Sequence, residues 1–362
     1  MKHGLHLAFF GSSLLSAYWN GAATYYRGLI KALSRRGHRI TFYEPDAYER
    51  QSHRDIVPPP WARVRVYSAA ADSEVLTLME EASRCDLVIK CSGIGVFDEL
   101  FDREVPALKG RGALVAFWDV DAPATLARLA SNPLDPFRSL IPQYDYILTY
   151  GGGDPVIKKY REFGARRCVP IYNALDPDTH FRVASQEYFR ADLALLANRL
   201  PDREARVERF FTSVAGFMTE RVFLLGGNGW QGKPLSRNIR YCGHVYTADH
   251  NAFNSSATAV LNINRDSMAE CGYSPPTRIF EAAGAAACII SDQWAGIELF
   301  LDPGREILTA ANGEQVGEHL RALTPARCRE IGEAGRRRVL AEHTYEERGR
   351  EFEYALGLDH QP

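Results

Sequence analysis

The chain has 362 residues, enough for two domains of ordinary size that each bury a hydrophobic core. Hydrophobic residues make up 46% of the sequence and charged residues 24%, a composition typical of globular proteins. The formal net charge of -2 gives no electrostatic sign of nucleic-acid binding, so the expected partners are small molecules and no nucleic acid.

The cysteines and the N-terminal residues indicate the compartment. None of the seven cysteines has the C-x-x-C spacing of a zinc or redox motif. We therefore predict free thiols in a reducing cytoplasm, with neither a disulfide framework nor a metal site. Residues 1–10 form too short and interrupted an apolar run for a signal peptide, and no stretch approaches a membrane span. The sequence thus predicts a cytoplasmic protein.

The first half of the chain alternates between predicted strands and helices. It opens with a strand over Leu5–Phe10, a small and polar loop, a helix over Thr24–Leu33 and a second strand over Arg39–Tyr43. Further strands are predicted at 64–67, 87–91, 114–118 and 146–149. This alternation favours a parallel sheet covered by helices on both faces, in which ligands bind at the carboxyl ends of the strands.

A second alternating series begins near Ala191. Its predicted strands are 191–198, 222–225, 239–242, 258–263 and 288–291, and a helix is predicted around 204–217. Residues 173–185 break both periodicities and form the predicted linker. Segments 326–342 and 345–356 are amphipathic and are predicted to be terminal helices that cross the domain junction. The predicted domains are therefore 1–180 and 186–340, followed by a C-terminal helix in 341–362.

The segment 273–292 is predicted to be a helix that opens onto a ligand and leads into a buried strand. Ser274 is a good N-cap and Pro275 suits the first helical position, so the free N–H groups and the positive dipole end would attract a diphosphate. Arg278 and Glu281 share one face, from which they could reach a phosphate and a pair of ribose hydroxyls. The alternative is a capped helix with an Arg–Glu ion pair.

Six runs in chain order point to one family. They are WNGAATYYR at 19–27, FWDVDAP at 117–123, ANRLPDR at 197–203, GGNGW at 226–230, NINRDSM at 262–268 and SPPTRIFE at 274–281. Together they resemble the CgeB-like family, which is named for a spore-maturation protein and classed as GT-B glycosyltransferases. The resemblance implies an α/β fold of the GT-B class, with two Rossmann-like doubly wound domains that face a central cleft.

The resemblance also implies a function. A sugar would pass from a nucleotide-diphosphate sugar on the C-terminal domain to an acceptor on the N-terminal domain, in a reaction of the hexosyltransferase type. The donor would be a UDP, TDP or GDP sugar, no metal or other cofactor would be required, and the acceptor stays open. Two alternatives also stay open: a catalytically degenerate nucleotide-sugar-binding protein of a surface-polysaccharide or coat pathway, and a nucleotide-sugar epimerase of the same fold.

The candidate donor residues lie mainly on loops after predicted strands and at the starts of helices. Glycines after a strand would let the chain approach a nucleotide closely, and Trp230 would either stack on the base or cap the core. The structural alternative for the arginines is an ion pair with a neighbouring carboxylate. The predicted donor site consists of Asn20, Gly21, Arg199, Gly227, Asn228, Trp230, His244, Arg265, Ser274, Thr277, Arg278 and Glu281.

Two carboxylates are the catalytic candidates. An inverting transfer needs a base to deprotonate the acceptor hydroxyl, and Asp119 and Asp121 follow a buried strand where such a base could lie. The alternative is that one of them caps the helix beyond, and we interpret the pair as a loop feature rather than a metal clamp. A retaining transfer would need no protein base. Tyr273 and Ala22 depart from the family pattern, which has Glu and His there, and this keeps the degenerate-protein alternative open.

Overall fold

The computed structural model describes residues 4–358, and the structural statements below concern this range. Outside this range lie the outermost predicted domain bounds, 1 and 362, and the first three residues of the N-terminal run. The chain divides into two compact units. Unit one runs to Tyr172 and includes the chain from Tyr345 onward, and unit two is Asn173–Thr344.

Unit one contains a parallel sheet in the order β3-β2-β1-β4-β5-β6-β7. Its strands are β1 (His6–Phe10), β2 (Arg39–Asp46), β3 (Arg63–Ser68), β4 (Leu87–Cys91), β5 (Leu114–Asp119), β6 (Tyr146–Thr149) and β7 (Cys168–Pro170). Its first helices are α1 (Ala23–Arg35), α2 (Asp72–Ala82), α3 (Asp98–Ala107), α4 (Ala122–Ser131), α5 (Phe137–Leu140) and α6 (Gly153–Glu162). The strands are mostly buried apolar runs, as a sheet covered on both faces requires.

Unit two contains a second parallel sheet, in the order β10-β9-β8-β11-β12-β13. Its strands are β8 (Ala191–Leu196), β9 (Phe223–Gly226), β10 (Ile239–Gly243), β11 (Ala257–Asn262), β12 (Ile289–Asp292) and β13 (Leu308–Ala310). Its helices are α7 (Pro201–Val207), α8 (Ser213–Phe217), α9 (Thr247–Ser256), α10 (Asp266–Cys271), α11 (Thr277–Gly284), α12 (Gly313–Ala322) and α13 (Pro325–Glu342). A π-helical turn over Glu208–Thr212 joins α7 to α8.

The last helix, α14 (Tyr345–Ala355), packs on α1 within unit one. A Cβ at Gly28 of α1 would lie 2.1 Å from Cδ2 of Tyr345, so the absence of a side chain at Gly28 is what lets the two helices approach. Phe352 stacks on Trp118 with ring centroids 5.7 Å apart. The helix α14 is thus part of the core of unit one. No helix within residues 4–358 is both long and apolar enough to span a bilayer.

The predicted fold class is confirmed at the level of each unit, since both sheets are parallel and alternate with helices in the chain. The predicted strands all form, within three residues at each end. β7 and β13 were not predicted, because three-residue strands are too short to show a hydrophobic period. The predicted helix at 204–217 starts earlier, at Pro201, and contains the π-helical turn.

Candidate functional site

The order of the strands marks one edge of unit two as a ligand site. The chain runs outward from β8 to β9 and β10, and it then crosses back to β11, which pairs with the other side of β8. In open parallel sheets ligands bind outside the carboxyl ends of the strands at such a switch point. The loops concerned follow Leu196 and Asn262, and the first turn of α11 lies beside the second of them.

Helix α11 begins at Thr277 with Pro276 as its N-cap residue, whereas the prediction had Ser274 as the N-cap and Pro275 as the first helical residue. The reason is that Ser274 and Pro275 each precede a proline, which disfavours the helical conformation in the residue before it. Pro276 is extended, with φ of -73° and ψ of 149°. The Ser274 hydroxyl donates instead to the carbonyl oxygen of Gly272, at 2.9 Å.

Arg278, in the first turn of α11, is held at the end of β11. Its Nη2 donates to the carbonyl oxygen of Ile263 at 2.9 Å and to Oδ1 of Asn262 at 3.2 Å. Thr277 beside it donates to Oδ1 of Asn173 at 3.5 Å, and Asn173 donates through Nδ2 to the carbonyl oxygen of Pro275 at 2.9 Å. These contacts fix a guanidinium next to a helix N-terminus, an arrangement suited to phosphate oxygens.

Asn264 follows β11 at the same edge, and sequence reasoning did not single it out. The residue is 1% exposed, and neither side-chain polar atom has a hydrogen-bond partner within the protein. Its backbone N–H donates to Oδ2 of Asp292 at 3.0 Å. A buried amide costs free energy unless it is hydrogen-bonded, so the unpartnered amide of Asn264 marks the end of β11 as a candidate site. The sequence feature that could have indicated Asn264 is its place within the run 262–268.

Two predicted donor arginines form ion pairs with α7. Arg199 makes a two-pronged contact with Glu204, at 2.8 and 2.9 Å, and Arg265 bonds Asp202. Hydrogen bonds from Arg199 and then from Lys233 lower the pKa of Glu204 to about 2. For Arg199 and Arg265 the structure therefore has the ion pairs that the alternative interpretation predicts.

The loop after β9 brings together Gly227, Asn228 and His244. Gly227 has φ of 118°, and its N–H donates to the carbonyl oxygen of Gly243 at 2.7 Å. The Asn228 Nδ2 lies 3.3 Å from Nδ1 of His244. Of the two roles left open for Trp230, the structure has the second, because the ring is 2% exposed and its Nε1 donates to the carbonyl oxygen of Ala197 at 2.7 Å. Trp230 caps the core.

Glu281 is placed differently from the prediction. It is 4% exposed, and its carboxylate oxygens lie 3.8 Å from Nε2 of His180 and 3.8 Å from Nδ1 of His250. The side chain is thus directed at two histidines and not into an open pocket for a ribose. Arg278, which the alternative interpretation pairs with Glu281, bonds the end of β11.

Asn20 and Gly21 belong to unit one. The Asn20 amide is used within its own loop: Oδ1 accepts from the Ser12 hydroxyl at 3.0 Å, and Nδ2 donates to the carbonyl oxygens of Ser13 and Ser16. Gly21 is exposed and precedes Ala22, the N-cap residue of α1. Asn20 therefore shapes the loop that leads into α1.

The two catalytic candidates differ in exposure. Asp119 is 0% exposed, and it accepts hydrogen bonds from the Tyr160 hydroxyl and, at 3.0 Å, from the N–H of Asp121. Burial, and then the Asp119 carboxylate, raises the pKa of Tyr160 well above its ordinary value. A base must touch the acceptor hydroxyl, which Asp119 cannot do from this position. Asp121 is partly exposed and is the N-cap residue of α4 without a capping side-chain bond.

We expect Asp119→Asn to lower stability by about 1–2 kcal/mol, because it weakens the bond from Tyr160, and to change turnover by less than about tenfold. Urea unfolding and initial rates measure the two effects. Tyr160→Phe is the matched control, since it removes the same bond from the other side. A loss of turnover beyond about a hundredfold in a folded Asp119→Asn protein would show that Asp119 has a catalytic role after all.

Residues 203–354 match the family model described as Glycosyl transferase-like. A search of curated protein sequences gives no match.

Solved structures resemble the whole chain. HepE of Anabaena in complex with UDP-glucose aligns with a TM-score of 0.67 at 10% identity, over 98% of this chain and 99% of that one. Sucrose-phosphate synthase of Thermosynechococcus elongatus aligns with a TM-score of 0.67 at 12% identity, over 97% and 98%. An alpha-glucosyltransferase in complex with UDP-glucose and DNA containing an abasic site aligns with a TM-score of 0.71 at 10% identity, over 98% and 100%. The structural likeness gives the GT-B fold, and with the family match over 203–354 it identifies the chain as a glycosyltransferase.

Proposed function

We propose that this glycosyltransferase uses a UDP-sugar as its donor and binds the diphosphate at the carboxyl ends of β8 and β11. The observation that carries the proposal is the Arg278 guanidinium, which is fixed at the end of β11 beside the start of α11. UDP is chosen over TDP and GDP because HepE and the alpha-glucosyltransferase were solved with UDP or UDP-glucose.

The geometry suits the charge that develops during transfer. As the glycosidic bond to the donor phosphate breaks, negative charge grows on the departing UDP. Arg278 and the positive end of α11 are already in place to stabilise that charge, so the protein does not have to reorganise during the reaction. Preorganised groups of this kind are a main source of electrostatic catalysis. Asn264 lies at the same edge, and its buried amide atoms have no partner within the protein. We therefore propose a transfer that needs no metal ion.

The acceptor hydroxyl loses its proton in this reaction. If the transfer inverts the anomeric centre, Asp121 is the proposed base, because it is partly exposed whereas Asp119 is buried. If the transfer retains the configuration, a departing phosphate oxygen takes the proton and no protein base is needed. The anomeric configuration of the product, measured by NMR, distinguishes the two routes.

Thermal unfolding with UDP, TDP, GDP, ADP and CMP tests the donor class. We expect the largest rise in melting temperature from UDP, equal in magnesium and in EDTA, since a ligand at a hundredfold excess over its dissociation constant adds about 2.7 kcal/mol of stability. A shift that requires magnesium would contradict metal independence. No shift with UDP, together with a clear shift from another nucleotide, would contradict the donor assignment.

A second candidate is a nucleotide-sugar-binding protein without transferase activity, and Tyr273 favours it. Tyr273 takes the place of the family's Glu and has φ of 49°, a conformation that side chains rarely adopt. A Cβ at Gly296 would lie 2.3 Å from the Tyr273 ring, so the two positions fit each other. UDP binding without turnover of any UDP-sugar, with water or with an acceptor, would support this candidate.

The CgeB-like affiliation and a cytoplasmic location complete the proposal. The six sequence runs support the affiliation. All seven cysteines are free thiols, as expected in a reducing compartment.

A further inference from the structure

Three side chains of unit two form a compact polar cluster apart from the contacts of Arg278. They are His180, His250 of α9 and Glu281 of α11, and one ligand atom from each lies within 4.8 Å of the other two. The side chains of His180 and Glu281 are 1% and 6% exposed, and that of His250 is 15% exposed. Two imidazoles therefore face one carboxylate in a nearly dry environment.

The distances within the cluster are longer than hydrogen bonds. Nε2 of His180 and Nδ1 of His250 each lie 3.8 Å from a Glu281 oxygen, beyond the 2.7–3.2 Å of an N–H···O hydrogen bond. Ligand atoms about 2.0–2.2 Å from a tetrahedral zinc ion are about 3.4 Å from one another. The two imidazole–carboxylate distances, which run to different Glu281 oxygens, exceed this value by about 0.4 Å, so small side-chain rotations would bring one oxygen and both nitrogens around an ion.

The main chain around His180 is fixed independently of the cluster. Asn251, next to His250, accepts from the N–H of Phe181 through Oδ1 at 3.0 Å and donates through Nδ2 to the carbonyl oxygen of Thr179 at 2.9 Å. One asparagine thus clamps both neighbours of His180 onto α9. The two histidines are held in fixed relation before any ion binds.

Helix α11 approaches this segment closely. A Cβ at Gly284 would lie 2.8 Å from the carbonyl oxygen of His180 and 2.5 Å from Cδ1 of Leu175. The lack of a side chain at Gly284 therefore lets the helix that carries Glu281 lie against the segment that carries His180. Such preorganisation is what a metal site requires.

We propose that His180, His250 and Glu281 bind one Zn²⁺ ion. Two imidazole nitrogens and one carboxylate oxygen form a donor set that zinc uses, with a fourth position open to water. Zinc would tie the segment before Phe181, α9 and α11 together, and it would offset the cost of burying the Glu281 carboxylate. The site does not rest on the proposed donor chemistry, and it reassigns Glu281 from ribose contact to metal ligand.

The test uses the full chain, stripped with EDTA and dialysed. We expect one Zn²⁺ per chain in competition with a chromophoric chelator, and a rise in melting temperature of several degrees with Zn²⁺ but not with Mg²⁺, which prefers oxygen ligands. Co²⁺ in place of zinc should give the visible absorption of a tetrahedral site. Absence of zinc binding by the wild-type chain would overturn the proposal.

Matched variants separate this site from the thiols. His250→Ala should lose the bound zinc and the thermal shift, because it removes the most exposed of the three ligands with little disturbance of the core. His319→Gln should keep both, since His319 lies in the same unit but contacts the carbonyl oxygen of Thr309. Equal zinc content in wild type and His250→Ala would place the metal at other side chains and overturn the proposal. If His250→Ala does not fold, the Co²⁺ spectrum of the wild type is the test, and the absence of tetrahedral absorption would overturn the proposal.

Discussion

Replacement of Arg278 by alanine is expected to weaken UDP binding by about a hundredfold, which corresponds to about 2.7 kcal/mol. Removing one partner of a desolvated charge pair costs about 2–5 kcal/mol, and here the remaining partner is a diphosphate. The variant also loses the bonds to Ile263 and Asn262, so the melting temperature of the free protein should fall slightly. Isothermal titration calorimetry with UDP measures the affinity.

Two further variants make this result specific. Arg199→Ala removes a guanidinium that is already neutralised by Glu204 on an exposed surface, so UDP affinity should change by less than about threefold. Arg278→Lys keeps the charge but loses the planar fork, and it should lie between wild type and Arg278→Ala. Unchanged UDP affinity in a folded Arg278→Ala protein would contradict the proposal that the diphosphate binds at the end of β11.

The architecture was accessible from the sequence because it rests on local patterns. Buried parallel strands such as β4 and β11 are short apolar runs, and the helices between them repeat their apolar residues with the helical period. The start of α11 was misplaced for a local reason as well. Ser274 has the chemistry of an N-cap, but two consecutive prolines keep the chain extended to Pro276.

Burial and side-chain direction were not accessible in the same way. Asp119 and Trp230 follow strands in the sequence as ligand-binding residues do, yet both side chains turn into the core. Which way a residue at a strand end points depends on the helices packed around it, and a short motif does not record that packing. Asn264 was missed for the same reason, since its burial is what distinguishes it from other polar loop residues.

The cluster of His180, His250 and Glu281 shows the limit of spacing arguments. Zinc motifs are recognised when their ligands recur at short, fixed intervals in the chain. Here each ligand comes from a different element, and the folding of unit two alone brings them together. The helical spacing of Arg278 and Glu281 suggested an ion pair between them as one interpretation. In the structure the Glu281 side chain faces α9.

Gly227→Ala is expected to destabilise unit two by about 3 kcal/mol and to lower its melting temperature by about 10 °C. The added Cβ would lie 2.2 Å from the carbonyl oxygen of Ala197, a backbone atom that cannot rotate away. The φ of 118° adds strain that a side chain bears poorly. Because Gly227 also bonds Gly243 and accepts from the Tyr241 hydroxyl at 2.8 Å, the displaced loop should weaken UDP binding too.

Gly232→Ala is the matched control for this prediction. Gly232 also has a positive φ, of 75°, but a Cβ there meets no atom within 4 Å. It therefore carries the backbone strain without the collision, and it should cost only about 1 kcal/mol with unchanged UDP affinity. Equal destabilisation by the two variants in urea unfolding would mean that strain alone acts at Gly227. The close packing of the loop after β9 against Ala197 would then contribute nothing to the stability of the donor site.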